Sequence, residues 1–208
     1  MIVTISRDYG AAGLAVATAV ATALGFELLN DELQKRVAAR LGTSADEVAA
    51  RASADESFSE RVLSGLGAGT AEVASPSVPT LPGEFDEALR QEIERTIRER
   101  AELGSVVILG RNAGGVLGRR ADVLRVFLTG ERAWRVARIV DSFGVSRAEA
   151  EADIERIDSA RRKVARDRYK LHWADAHAYD VTLDVSRVGI EGAAELIVLA
   201  VRALEVGA

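Results

Sequence analysis

The chain has no cysteine, one methionine, two histidines and three prolines among its 208 residues. The missing cysteines exclude disulfides and thiolate metal sites. The two histidines, His172 and His177, lie five apart beside Trp173, which is not a metal-ligand pattern. No apolar run reaches the roughly 18–20 residues needed to span a bilayer. The opening residues, MIVTISR, lack a basic start followed by a long apolar core, so no secretory leader is expected. A net charge of −5 gives no overall pull toward nucleic acid or an anionic membrane. A soluble cytoplasmic protein is the expectation. One further absence is local: no lysine stands between Arg7 and Gly25.

What is present alternates. Residues 2–6 (IVTIS) read as a short buried strand, and 13–24 as a helix ended by Gly25. FELLN (26–30) is a second strand candidate. Asp31 opens a helix, with Gln34 as capping-box partner; Ser44 and Glu47 form another such box. Residues 57–83 hold SGLGAGT and all three prolines, Pro76, Pro79 and Pro82, which predicts a mobile loop segment. From Glu84 the period turns helical, with Phe85, Leu89, Ile93 and Ile97 four apart. SVVILG (105–110), VLRVFLT (123–129) and DVTLDVS (180–186) read as strands. The segments 131–143, 146–169 and 189–205 read as helices. The alternation predicts one α/β domain over 1–208 with about five parallel strands and 48% apolar residues to fill its core.

The stretch ISRDYGAAGLAVATAVATALG (5–25) has the layout of a phosphate-binding loop: strand, Gly-containing turn, helix. Anions bind at helix N-termini because unpaired N–H groups and the helix dipole point there. Gly10, Ala11, Ala12 and Gly13 are therefore candidate phosphate-binding residues. The full pattern G-x-x-x-x-G-K-[ST] is not met. The lysine is missing, and Leu14 and Ala15 offer no hydroxyl for magnesium. By spacing alone a plain strand-turn-helix is an equal reading. A second cluster, Gly110-Arg111-Asn112, stands just past a buried strand, where ligands sit in open α/β sheets. An arginine there suits bidentate phosphate binding, or else a surface ion pair.

With GRNAGGVL, VFLTGERAWRVAR and YDVTLDVSRVGIEGAAELI, the chain resembles bacterial cytidylate kinases. It is more closely similar to the cytidylate kinase-like proteins, which begin with a comparable ISR-x-Y-G-x-x-G stretch and lack the usual lysine. The likeness runs from Ile5 to Ile197 and is weakest over 45–83. It implies a P-loop kinase-like three-layer sandwich with a five-stranded parallel sheet and a helical lid. It also implies a nucleotide donor site at the first loop, a monophosphate acceptor site within an insertion over 31–103, and a basic lid over 146–178. ATP and Mg2+ are the cofactors so implied, with a small-molecule nucleotide as partner and a homodimer left open. By the same likeness Arg111 contacts the acceptor, with Asn112 where cytidylate kinases usually carry an aspartate. Asp31 falls where relatives place an acceptor-site acid, although a helix N-cap explains it equally.

The segment 156–170 carries seven basic residues behind an acidic first half. A charge gradient of that sense suits any solvated helix. The lid position in the resembled family favours Arg161 and Arg166 as the residues that neutralise phosphoryl charge, with Arg7 as the substitute for the missing lysine. Asp158 and Asp180 are as well explained by pairing with arginines as by chemistry. Tyr169 and Trp173 are read as core rather than as a base-stacking platform. Three functions stay open: a nucleoside monophosphate phosphotransferase, a non-catalytic nucleotide- or anion-binding protein on the same fold, and an interaction protein that pairs through helix 84–103.

Overall fold

The computed structural model of the protein describes residues 1–44, 46 and 82–206. Glu47, the partner in the capping box expected at Ser44, and residues 57–81 of the segment expected to be mobile lie outside them.

Strand β1 (Ile2–Arg7) leads into α1 (Gly13–Leu24), β2 (Glu27–Leu29) and α2 (Asp31–Leu41). Then follow α3 (Pro82–Leu103), β3 (Val106–Leu109), the short α4 (Ala113–Leu117) and β4 (Val123–Thr129). Two helices come next, α5 (Arg132–Phe143) and α6 (Arg147–Tyr169), and then β5 (Val181–Asp184) and α7 (Val185–Val206). Gly189 interrupts α7 with φ 77° and ψ 171°. The five strands form one sheet in the order β2-β3-β1-β4-β5, and every neighbouring pair is parallel. A parallel pair needs a crossover, and the helices supply it. This is the expected α/β architecture, with β1 at the centre and all six of its residues buried.

Alternation along the strands divides the core. Val3, Ile5, Val107, Leu109, Leu124, Val126 and Leu128 turn to one face, where Val16 and Val20 of α1 and Ile197 and Val201 of α7 cover them. Each such fully buried aliphatic side chain contributes about 1.5–3 kcal/mol. On the other face Phe127 packs with Ala165 of α6 and with Trp173. Also on that face, Thr4 and Arg125 approach Gly114 of α4. Helix α1 needs no charge to hold its shape. It is rich in alanine and stops at Gly25, which adopts φ 66° and donates its N–H to the carbonyls of Ala21 and Thr22.

The chain divides into two compact units, Met1–Asn30 with Ile97–Ala208, and Asp31–Thr96. The first holds the whole sheet. In the second, Arg40 of α2 donates to Glu92 (2.7 Å) and Thr96 (3.4 Å) of α3. Leu89, Ile93 and Ile97 are 2%, 8% and 0% exposed, so the four-residue apolar repeat of α3 is spent inside the protein. A helix with that stripe already covered has little left to offer an outside partner.

Candidate phosphate-binding site

The loop Asp8–Ala12 leaves the carboxyl end of β1 and enters α1. Gly10 takes φ 81°, and Ala12, the N-cap of α1, takes φ 57° and ψ 26° without a side-chain cap. Position 10 needs glycine for two reasons. Its φ is left-handed, and a Cβ there would stand 3.0 Å from Ile139 Cδ1 and 3.1 Å from the Arg135 carbonyl oxygen. Ala12 carries the steric cost of a left-handed L-residue, about 1–2 kcal/mol. The first N–H groups of α1 have no intrahelical acceptor, as at any helix start, and the dipole adds partial positive charge there. Ala11 turns its side chain into the core, so its contribution to a ligand is backbone alone.

Gly13 does not have a positive φ. Its missing side chain has another reason: a Cβ there would lie 2.8 Å from Arg7 Cγ, 3.0 Å from Cδ and 3.2 Å from Nε. The buried side chain of Arg7, 5% exposed, thus runs along the first turn of α1. It occupies the volume that any residue larger than glycine would take.

The loop is clamped from two helices. The Tyr9 N–H donates to Asp158 Oδ1 (2.8 Å), and Arg135 Nη1 donates both to the Tyr9 carbonyl (3.0 Å) and to Asp158 Oδ2 (2.7 Å). Arg135 Nε reaches the Gly130 carbonyl at 3.1 Å. Arg161 Nη1 donates to the carbonyl of Arg7 (3.2 Å). Asp158, Arg135 and Arg161 are each at most 9% exposed, and a buried charge is tolerable only when paired and bonded in this way. Beside them Thr129 Oγ1 donates to Asp8 Oδ2 at 2.7 Å. Burial pushes the Asp8 carboxyl above its ordinary range. The Thr129 bond works against that rise, and the nearby Asp158 adds to it.

The neighbouring strand supplies a second turn. Gly110, Arg111 and Asn112 take φ values of 72°, 53° and 50°. The Gly110 N–H donates to the Ile5 carbonyl (2.9 Å), which ties this turn to β1. Since β1 and β3 pair with Ile5 opposite Leu109, the two turns leave the sheet side by side. Arg111 and Asn112 are half-buried there. The following glycines have packing reasons. A Cβ on Gly115 would stand 2.8 Å from Tyr169 Cγ and 3.1 Å from Leu171 Cδ1, so the C-terminal end of α6 lies directly on α4.

Thus Arg7, Gly10, Ala11, Ala12, Gly13 and Arg161 come together, with Arg111 and Asn112 on the adjacent turn. Arg166 is not brought to them: its side chain is 65% exposed and its guanidinium pairs with Asp167 at 3.1 Å. Asp31 is the first residue of α2, in the second unit. Asp180 pairs with Arg125, accepting at 2.8 and 3.2 Å from its guanidinium and at 2.9 Å from its N–H. Burial opposes ionisation of Asp180, and these bonds outweigh it, so its carboxyl lies below the ordinary range. Trp173 and Tyr179 pack on Phe127, with centroids 5.9 and 4.9 Å away. Burial pushes the Tyr179 phenol up to about 12, so it remains a donor, to the Trp173 carbonyl at 3.0 Å.

Sequence reasoning passed over Arg135 and Thr129, and reached Asp8, with Ser6, only as a residue that could serve magnesium through water. Arg135 had a signal: it stands beside Val136 and Ile139 on the apolar face of α5, where a charge requires a buried partner. Among the described residues no three carboxylate or histidine side chains gather to hold a metal ion.

A family model described as the cytidylate kinase-like family matches residues 2–187 of the chain. No curated protein matches it in sequence. Among solved structures it is similar to an uncharacterized protein from Eubacterium ventriosum, with a TM-score of 0.70 and 20% identity, covering 98% of this chain and 99% of that one. It is also similar to shikimate kinase from Bacteroides thetaiotaomicron, with a TM-score of 0.54 and 16% identity over 97% and 98% of the two chains. At these identities the likeness is one of fold, that of the P-loop kinases.

Proposed function

The chain belongs to the cytidylate kinase-like family, and from that premise we propose that it is a nucleotide-binding phosphotransferase of the nucleoside monophosphate kinase type with ATP as donor. The observation that supports this reading most is the run of Arg7 along the first turn of α1. A guanidinium stem there brings a permanent cation to the helix start that lacks a lysine. Phosphoryl transfer asks the protein mainly for position and for neutralisation of charge on the transferred group. The N–H groups at the start of α1 hold the triphosphate, Arg7 supplies charge, and Arg161 joins the same residue to α6. Arg111 and Asn112, on the next turn, take the acceptor phosphate. Arg166 acts only if the end of α6 closes toward the ligand.

Magnesium fits less fully. One carboxylate, Asp8, stands at the lip of the loop, with Ser6 beside it on β1, and magnesium is usually held by one or two carboxylates together with substrate phosphates. Asp8 is the residue that would hold the ion. The ion would neutralise charge on the phosphates.

The same features support a second reading, a nucleotide- or anion-binding protein without turnover. The loop has Leu14 and Ala15 where a hydroxyl would serve the metal, and Leu14 is 43% exposed rather than packed away. Titration calorimetry with ATP and a coupled assay over a panel of nucleoside monophosphates separate the two. For a kinase, Arg7→Ala weakens ATP by about 10- to 100-fold, the range of a charged hydrogen bond lost. Arg111→Ala then raises KM for the monophosphate and leaves ATP affinity unchanged. ATP binding with no transfer to any monophosphate establishes the second reading. ATP bound equally by parent and Arg7→Ala removes Arg7 from the site.

A further inference from the structure

Helix α7 buries one face against the sheet and leaves the opposite one bare. Along the bare side Gly192, Leu196, Leu199, Ala203 and Val206 follow at spacings of four, three, four and three, the period of one helix stripe. Leu196 is 42% exposed, Leu199 63% and Val206 90%. The stripe runs over 15 residues, Gly192 to Val206, about 21 Å of helix. The helix packed beside it, α1, has no charged residue at all, yet exposes Leu14, Ala15, Thr18, Thr22 and Ala23. An exposed apolar stripe beside an uncharged helix is a usual mark of an interaction surface.

The charges beside the stripe identify its occupant. Glu195 and Arg202 flank the stripe on one side, seven residues apart, and both are exposed. Among the described residues neither takes part in an ion pair, whereas Arg125 of the sheet and Arg135 of α5 are engaged with Asp180 and Asp158. In heptad terms both occupy the position just before the apolar one. When two such helices pack antiparallel about a two-fold axis, residues at that position meet each other across the seam. Glu195 of one copy then faces Arg202 of the other, twice. The same register sets Leu196 against Leu199 and Ala203 against Gly192, large with large and small with small. A parallel pairing would instead set Glu195 toward Ala200 of the other copy, leaving it without a charge partner. We propose that the protein forms a two-fold homodimer through an antiparallel α7–α7 contact centred between Leu196 and Leu199.

An interface of one helix pair with a rim from α1 falls at or below about 1,200 Å², so its dissociation constant is on the order of 1–100 µM. Sedimentation equilibrium of the full chain across that range reads it directly. The parent is expected to shift from monomer to dimer. Leu199→Glu, at an exposed position that does not burden the core, is expected to weaken the dimer at least about 30-fold, as for a central anchor. The charge pair gives the orientation. Glu195→Arg alone and Arg202→Glu alone place like charges across the axis, so each stays monomeric where the parent is dimeric. An equimolar mixture of the two restores the dimer, since every cross-axis pair is again opposite in sign. A parent that remains monomeric throughout overturns the proposal. So does a dimer that Leu199→Glu leaves intact, or a mixture that fails to re-pair.

Discussion

Arg7 and Gly13 are one decision made at two positions. The arginine stem lies where a side chain on residue 13 would begin, so the loop has room for a cation from the strand or from the helix, not both. Replacing Gly13 with lysine therefore does not rebuild an ordinary phosphate loop. The variant is expected to lose about 1–3 kcal/mol of stability through overpacking, with no gain in ATP affinity. The double variant Arg7→Ala/Gly13→Lys is expected to recover part of that stability, a coupling that urea unfolding of the four proteins measures. Asp8 gives a second test at this scale. Its carboxyl is raised by burial, so the folded state holds its proton more tightly than the unfolded chain does. Stability from this group is full below the unfolded value near 3.8 and declines as pH rises through the folded value. Asp8→Asn should match the parent at pH about 3 and exceed it at pH about 7, by denaturant titration at both. A less stable variant at neutral pH would mean that the ionised carboxylate is held by more than Thr129.

At the scale of elements, strands were the most legible. IVTISR, VVIL and VLRVFLT are apolar enough to be read as covered on both faces, and they are the three central strands of the sheet. What local sequence could not disclose is the double character of α6. Its charge gradient reads as a solvated helix, yet Ala150, Ile154, Ile157, Asp158, Arg161 and Ala165 form a buried stripe. Asp158 and Arg161 look like members of a surface series because their partners, Tyr9, Arg135 and Arg7, lie far away in the chain. The first turn of α6, residues 147–149, and the part beyond Ala165 are open to solvent on most sides. The helix therefore serves as an anchor first. Asp158→Ala would strand the buried Arg135 guanidinium, and a loss of about 3–5 kcal/mol is expected on thermal or urea unfolding, with Asp158→Asn recovering part of it. A change below about 1 kcal/mol would show that water reaches Arg135 in the variant.

For the molecule as a whole, the parallel sheet and the adjacency of the turns after β1 and β3 followed from pattern and family likeness. The end of the second unit at Thr96 did not. Nothing in α3 marks the boundary, since the helix runs through it without a glycine or proline after Gly83. The clamp on the loop Asp8–Ala12 has one more consequence, in time rather than in energy. The Tyr9 amide sits in a loop, where exchange with solvent deuterium is ordinarily fast, but it is bonded to a buried carboxylate 149 residues further along. Its exchange clock is thus wound by α6 and not by the loop. In the ligand-free protein Tyr9 should exchange as slowly as the amides of α6 around Ile157, and the two should quicken together in Arg135→Ala. A mass or NMR record of that single amide would time the opening of a helix from a residue that the helix does not contain.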